Sequence, residues 1–528
     1  FYIIYSKSEL IMTNEQIKSI IIVGGGSSGW MTALYLNKLY NHSQQNIEIT
    51  LIESPDIPTI GVGEATVHSV RNYFAAMGLD EKELLRETNA TLKTGIMFRN
   101  WMKPNSDGST HEYFHSFEQQ NIARVLDISS AWVIDKRFEK ERYDEAVSIS
   151  AHLIKDGLSP KNVNSRPYEG VVPYGYHLDA IKMANFMAKK GVEAGIKHIK
   201  AMVKDIDVEA GNITAVHTNK GCFSADIFID CTGFKGFLIN KVKERSENWQ
   251  SFEEALPCNK AVAIQIEYSQ EQQPKPYTEA TALTNGWVWQ IDLCNRRGTG
   301  YVYDGNQLTQ EQAEQELLAY HGIDKEHSCS STSDKKVLRI AHLDMHIGCL
   351  KEFWVGNCVA IGLSGGFIEP LESTGLHLIN ASARLLGTHL TGKKTAQSVR
   401  DSYNKIMNGT YDDLKQFIVL HYCLTDRDDT EFWKNVAKTA QYCDGLEDKI
   451  STWEHKICEY MDLAGGYITM FSDENYRAIL YGMKHYPNLN IPANSDENEK
   501  IYREFNKRVK QVTNLVMSHQ DYLTNLHK

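Results

Sequence analysis

The run IIIVGGGSSG, Ile20 to Gly29, carries a β-branched stretch straight into glycine. Gly24, Gly26 and Gly29 make G-x-G-x-x-G. The residues that follow, GWMTALYLNKLY, place apolar side chains at helical spacing. Ile47 to Ser54 (IEITLIES) then reads as a second strand closing on Glu53. Strand, glycine turn, helix and strand make a β-α-β unit, which few folds accommodate. The first glycine permits the tight turn, the second lets backbone approach a pyrophosphate, and the third lets the helix pack close to the strand. Ser27 and Ser28 sit at the helix start, where N–H groups and the helix dipole favour an anion. Glu53 stands where a carboxylate accepts hydrogen bonds from a ribose. The unit predicts a dinucleotide site. The motif alone does not separate FAD from NAD, and a glycine turn without ligand is the ordinary alternative.

The chain has 528 residues, more than one ordinary core uses. Further strands are expected at Ala225–Gly233 (ADIFIDCTG) and Asn357–Gly366 (NCVAIGLSGG), so the nucleotide-binding core draws on distant sequence. Beyond about residue 400 the pattern turns helical, ending in a stripe of Ile501, Phe505, Val509, Val512 and Val516. The expected division is an N-terminal extension over 1–18, a core over 19–400 and a mainly helical module over 401–528. Fold class is mixed α/β.

Net charge is −11, which gives no electrostatic reason to expect nucleic acid or an anionic membrane. No apolar run is long enough to span a bilayer. Ten cysteines, Cys222 to Cys458, form no C-x-x-C pair and read as free thiols of a reducing cytoplasm. The opening FYIIYSKSELI, before Met12, lacks a basic start and a long apolar segment, and reads as an upstream extension rather than a signal peptide. His342, Asp344 and His346 alternate like metal ligands, but with no further clustered ligand in sequence no metal is expected.

The segment FIEPLESTGLHLIN, Phe367 to Asn380, sets Glu369 and Glu372 three residues apart among apolar neighbours, followed by Ser373 and Thr374 as a helix-capping pair. Glutamate is rarely buried unless it is paired or chemically engaged. Together VGGGSSGWMTA, IPTIGVGEATV, NGWVWQI, GTGYV and FIEPLESTG, in that order, resemble the flavin-dependent halogenases of the tryptophan-halogenase type. ATLKTGIMFRNW and HYCLTDRDDTEFW extend the resemblance from about Ile20 to about Trp433.

The resemblance implies a Rossmann-type FAD-binding core of the flavin monooxygenase and halogenase kind, with a helical C-terminal substrate module. It implies FAD as FADH2, supplied by a separate flavin reductase, and chloride, bromide or iodide as co-substrate. Halide is oxidised at the flavin, and the hypohalous acid travels to Lys93, where an aromatic substrate is halogenated. Lys93 and Glu372 are the implied catalytic pair, with the lysine desolvated by its apolar setting. Backbone amides of Thr374 and Gly375 are implied to bind halide. Ala65, Val203, Leu363 and Leu376 are implied flavin contacts, and Trp287 and Trp289 a wall between flavin and substrate. His115 and Phe117 of YFHSF are implied to hold the arene. Glu369 reads as a structural carboxylate that caps or pairs with a basic residue. Two departures stand out. Asp292 replaces the proline expected after W-x-W-x-I. No Tyr-Tyr pair occurs in EYMDLAGGYITMFSDENYRAIL, where Tyr460, Tyr467, Phe471 and Tyr476 stand singly. An indole, phenol or other electron-rich arene is therefore expected, rather than free L-tryptophan. A flavin-dependent aromatic monooxygenase is the alternative, and a flavin-binding protein without catalysis a second. A homodimer is only the family-level expectation.

Overall fold

The computed structural model describes residues 15–44, 46–56, 63–119, 127–268, 272–323, 336–463, 470–492 and 495–527. The chain start through residue 14, residues 57–62 of IPTIGVGEATV, and Tyr467 lie outside them.

The β-branched run Ser19–Val23 is the middle of a six-stranded sheet. It pairs in parallel with Glu48–Glu53 on one side and Ile227–Asp230 on the other. Lys197–Lys200 extends the first side, and Cys358–Ala360 and Trp354–Val355 extend the second. Only the last strand runs antiparallel. Strands buried on both faces need continuous apolar runs, and IIIV, ITLI and IFI supply them. The helix Ser27–Asn41 leaves the first strand through the glycine turn. Ligands of such sheets sit beyond the carboxyl ends of the strands, here Val23, Glu53 and Asp230.

A second sheet has seven strands, ordered Val337–Asp344, Lys260–Glu267, Arg296–Tyr303, Gly286–Asp292, Thr278–Ala282, Gly95–Arg99 and Glu112–Ser116. All its pairings are antiparallel except that of Thr278–Ala282 with Gly95–Arg99. A small antiparallel sheet of Gly63–Ala65, Gly175–Asp179 and Thr91–Lys93, in that order, is the third element of the site. Lys93 ends one of its strands.

After Gln397 the described regular structure is helical, apart from one isolated bridge between Leu158 and Ser518. The long helix Gln397–Cys423 begins before residue 400, so the expected division falls in its first turn. Its Phe417 and Leu420 share one continuous core with Ile20, Trp30, Phe98, Trp287 and Leu526. The stripe on Ser495–Thr513 splits: Ile501 joins that core, whereas Val509 and Val512 pack with Ile149, Leu153 and Val172. No described helix is long and apolar enough to cross a membrane.

Asp292, in the proline position of the tryptophan motif, is buried at the end of its strand. Its carboxylate accepts from Arg297 Nε at 2.6 Å, Arg297 Nη2 at 3.0 Å and the Lys275 N–H at 3.0 Å. Its backbone carbonyl accepts from Thr91 Oγ1, two residues before Lys93. The departure thus ties the tryptophan strand to its neighbours and to the lysine strand. Removing one partner of a buried ion pair leaves the other charge unpaired. Asp292→Ala should therefore destabilise the fold by about 3 kcal/mol or more, as measured by urea unfolding.

Candidate active site

At the glycine turn, Gly24 has φ +117°, and a Cβ there would lie 2.1 Å from the Cys231 carbonyl oxygen. A Cβ on Gly29 would meet the Gly24 carbonyl at 1.8 Å. Gly26 differs, because a Cβ there would meet nothing within 4 Å. No side chain caps the helix that starts at Ser27, and its first turn carries no acid. Open space against a bare helix N-terminus is what a pyrophosphate requires, so these residues fit a dinucleotide such as FAD. Glu53 closes the next strand, its carboxylate 2.7 Å from His198 Nε2. A Cβ on Gly362 would sit 2.7 Å from Ser28 Cβ, so the turn Gly362–Ser364, which contains Leu363, packs on the glycine turn. Ala65 lies on the strand Gly63–Ala65, and Val203 opens the strand Val203–Glu209 in a separate three-stranded sheet.

Downstream of Gly362–Ser364 the chain makes a short turn, Pro370–Glu372, with proline in its first position. Ser373 then takes φ 59°, ψ 37°, a left-handed conformation that a serine adopts only under constraint. The constraint is visible: Lys93 Nζ donates to Ser373 Oγ at 2.8 Å, in full burial. The helix Gly375–His389 follows. The sequence expectation of Ser373 and Thr374 as a capping pair is corrected here. Ser373 is turned toward Lys93, and Thr374 stands at the N-cap without a side-chain cap bond. The first turn again carries no acid, and a Cβ on Gly375 would meet open space. A bare, open helix start fits an anion. Leu376, next in line, is buried.

Glu372 is almost wholly buried, with 1 % exposure. His115 Nδ1 lies 3.0 and 3.1 Å from its two oxygens, and His421 Nε2 lies 2.9 Å from Oε1. Burial alone would push this carboxyl up. The two imidazoles outweigh it and hold the group down at about 2. Lys93 is the reverse: burial pulls its ammonium down to about 7, opposed by the Glu372 charge. Nζ lies 5.1 Å from the Phe117 ring centroid, and that ring is 5.5 Å from His68. The structure therefore brings Lys93, Glu372, Phe117 and His115 to one locus. The ring nitrogens of His115 face Glu372 and Asn475, while its ring lies 5.9 Å from Phe417 and 6.4 Å from Phe471.

Glu369 also corrects expectation. Its described partners are not basic: Trp287 Nε1 donates to Oε2 at 2.8 Å and Tyr422 OH at 2.7 Å. Burial pushes its carboxyl up to about 7. Trp287 is thereby pinned, with Trp289 at 6.4 Å between ring centroids. His342 lies against Glu314 and Asp344 against Lys260, and no cluster of three metal-ligating side chains occurs among the described residues.

Sequence reading missed His421, Asn475 and the role of Ser373. His421 stands in HYCLTDRDDTEFW, which resembles a family segment, but nothing local marks its partner 49 residues back.

The tryptophan halogenase family model matches residues 19–497. Tryptophan 6-halogenase SttH of Streptomyces toxytricini is 32 % identical, covering 89 % of this chain and 90 % of its own. Tryptophan 7-halogenase RebH of Lentzea aerocolonigenes is 30 % identical, covering 97 % and 99 %. The crystal structure of a tryptophan halogenase from Shewanella frigidimarina superposes with a TM-score of 0.88 at 30 % identity, over 97 % of this chain and 98 % of that one.

The lysine makes a test independent of turnover. In the unfolded chain its pKa is near 10.5, and in the fold about 7. Below pH 7 both states hold the proton, and the cost of burying the charge is complete. Between about 7 and 10.5 the unfolded state binds more protons than the folded one, so stability rises with pH. Lys93→Met should abolish that rise and leave the variant more stable than the parent at pH 7, as read by denaturant unfolding across the range.

Proposed function

The chain belongs to the tryptophan halogenase family and is a flavin-dependent halogenase, and on that premise we propose how its own residues divide the work. Gly24, Gly26, Ser27, Ser28 and Gly29 would hold the FAD pyrophosphate, and Glu53 the ribose. Ala65, Val203, Leu363 and Leu376 would border the rest of the cofactor. When bound as FADH2, the flavin supplies with O2 the oxidation of halide to hypohalous acid. The Thr374 and Gly375 amides hold chloride, bromide or iodide at the bare helix start.

Lys93 receives the oxidised halogen. An amine pulled down to about 7 is partly neutral near that pH. It hydrogen-bonds hypohalous acid, or takes its halogen as the X–O bond breaks and water leaves with an amine proton, and burial keeps bulk water from consuming the electrophile. Glu372 stabilises the cationic ring formed by halogen attack and accepts the ring proton. Trp287 and Trp289 separate the flavin side from the arene side. Phe117 and His115 shape the arene pocket. The observation that carries this reading is the buried 2.8 Å contact between Lys93 and Ser373, which joins residues 280 apart beside Glu372.

The substrate is an electron-rich arene such as an indole or phenol. The names of SttH and RebH suggest free tryptophan as the compound to set against these. Reduced flavin comes from a separate reductase, since the chain carries one nucleotide motif. A reducing cytoplasm suits the nine free thiols among the described residues.

With reductase, FAD and each halide supplied, a panel of indoles, phenols and tryptophan read by mass spectrometry should give halide-dependent product. Lys93→Ala and Glu372→Gln should each lower that turnover by about 100-fold or more while still binding FAD. Oxygenated product from an undiminished Lys93→Ala enzyme would favour the monooxygenase reading instead. Thr374→Pro should lose halide-dependent turnover and keep flavin binding.

A further inference from the structure

Two imidazoles touch Glu372, and their outer partners make them unequal. His115 Nε2 faces the side-chain nitrogen of Asn475 at 2.8 Å. The orientation of that amide is fixed, because Asn475 Oδ1 accepts from the Ser472 N–H at 2.9 Å and lies 3.0 Å from Ser472 Oγ. Asn475 therefore donates to His115, and Nε2 must be a bare acceptor. The hydrogen of His115 is on Nδ1, pointing at Glu372, and the ring is neutral.

His421 has the opposite outer partner. Its Nδ1 lies 2.9 Å from the Phe417 carbonyl oxygen, one turn back in the Gln397–Cys423 helix. A carbonyl only accepts, so Nδ1 carries a hydrogen. Nε2 meets Glu372 Oε1 at 2.9 Å. Two bare acceptors cannot face each other at that distance, so one further proton lies between the imidazole and the carboxylate. Phe98, Phe417 and Trp101 lie around the His421 ring at centroid distances of 5.0, 5.2 and 6.3 Å.

We propose that His421 keeps this proton as an imidazolium, and so is the positioning residue that holds Glu372 as a carboxylate with Oε2 the less engaged oxygen. Among the described residues Oε1 receives N–H groups from both rings, whereas Oε2 shares only that of His115. The ring proton of the halogenated arene then passes to Oε2, the C–H electron pair returns to the arene, and His421 keeps its own proton. The other titratable groups facing the pair are Lys93, from the strand Thr91–Lys93, and Tyr113, from the strand of His115; His68 lies beyond His115. None of these offers a second hydrogen to Oε1. The assignment of Oε2 rests on the role proposed for Glu372 above; the charge on His421 does not.

The test has two arms. Side-chain 15N spectra of 15N-histidine-labelled protein at pH 7, assigned with His421→Gln and His115→Gln, should show both His421 nitrogens protonated and His115 with one bare nitrogen. A neutral His421 signal overturns the proposal. In turnover, His421→Gln keeps a donor toward Glu372 and removes the charge. The parent should already lose rate as Lys93 takes up its proton near pH 7; the His421→Gln rate should fall at least tenfold further than the parent's between pH 7.5 and 5.5. Asn475→Asp in that background supplies an acceptor to His115, allows it to become the cation, and should remove the extra fall, returning the profile to one parallel with the parent's. A His421→Gln profile parallel to the parent overturns the proposal. Full turnover by Glu372→Gln, with the His421 signal still cationic, overturns the role of Glu372 as base and leaves the charge assignment standing.

Discussion

A buried carboxylate is the constraint on which the rest of the site hangs. Moving an unpaired carboxylate into a low-dielectric interior costs several kcal/mol, and Glu372 has almost no exposure. It is tolerable only if donors are held against it. They come from two elements far apart in sequence: the edge strand Glu112–Ser116 through His115, and the helix Gln397–Cys423 through His421. The second sheet and the C-terminal helices must therefore meet at the segment that leaves the nucleotide-binding core. One charge dictates where three parts of the chain converge.

That segment works because it changes direction within a few residues. Gly362 rests on Ser28 at the nucleotide turn. Ten residues later Glu372 faces the two imidazoles, and the left-handed Ser373 swings the backbone into the helix Gly375–His389. A serine in that conformation carries strain of order 1 kcal/mol, offset by the hydrogen bond from Lys93. Carboxylate and open helix start are thus rigidly related. An oxidant formed near one and a ring held near the other would be kept apart by the same turn that joins them.

What the sequence disclosed follows the range of the interactions. The β-α-β unit is local, and its strands appear within a residue of where the pattern puts them: Ser19–Val23 for an expected Ile20–Val23, and Glu48–Glu53 for Ile47–Ser54. Lys93 and Glu372 were legible through resemblance, and burial gives them the desolvated settings their apolar neighbours suggest. Ser373 was misread because its residue type favours caps, whereas a long-range bond from Lys93 decides its conformation. His421 and Asn475 were illegible for a related reason. Each lies in an ordinary helical context, and each is defined by a partner 49 or 360 residues away. Asp292 read as a defect in a motif, yet it is a buried anchor whose cation, Arg297, sits five residues on.

Glu369 and Glu372 bring the local and the long-range views together. They are the same residue type, three positions apart, and both are fully buried, yet burial drives one up to about 7 while the other is held at about 2. The difference lies in what each accepts. Glu369 receives neutral donors, an indole N–H and a phenol O–H, and its second oxygen has no partner among the described residues. Neutral donors do not compensate a buried negative charge as a cation does, so a protonated Glu369 is accessible near neutrality. Glu372 receives two imidazole N–H groups and lies within the field of Lys93. Environments that push two carboxyls apart in this way commonly separate a structural from a chemical role. Here the weakly ionised one pins the Trp287 indole, and the strongly ionised one faces the lysine. A single nine-residue motif can therefore hold Trp287 in place and present an ionised carboxylate toward Lys93, because the fold gives each glutamate a different class of donor.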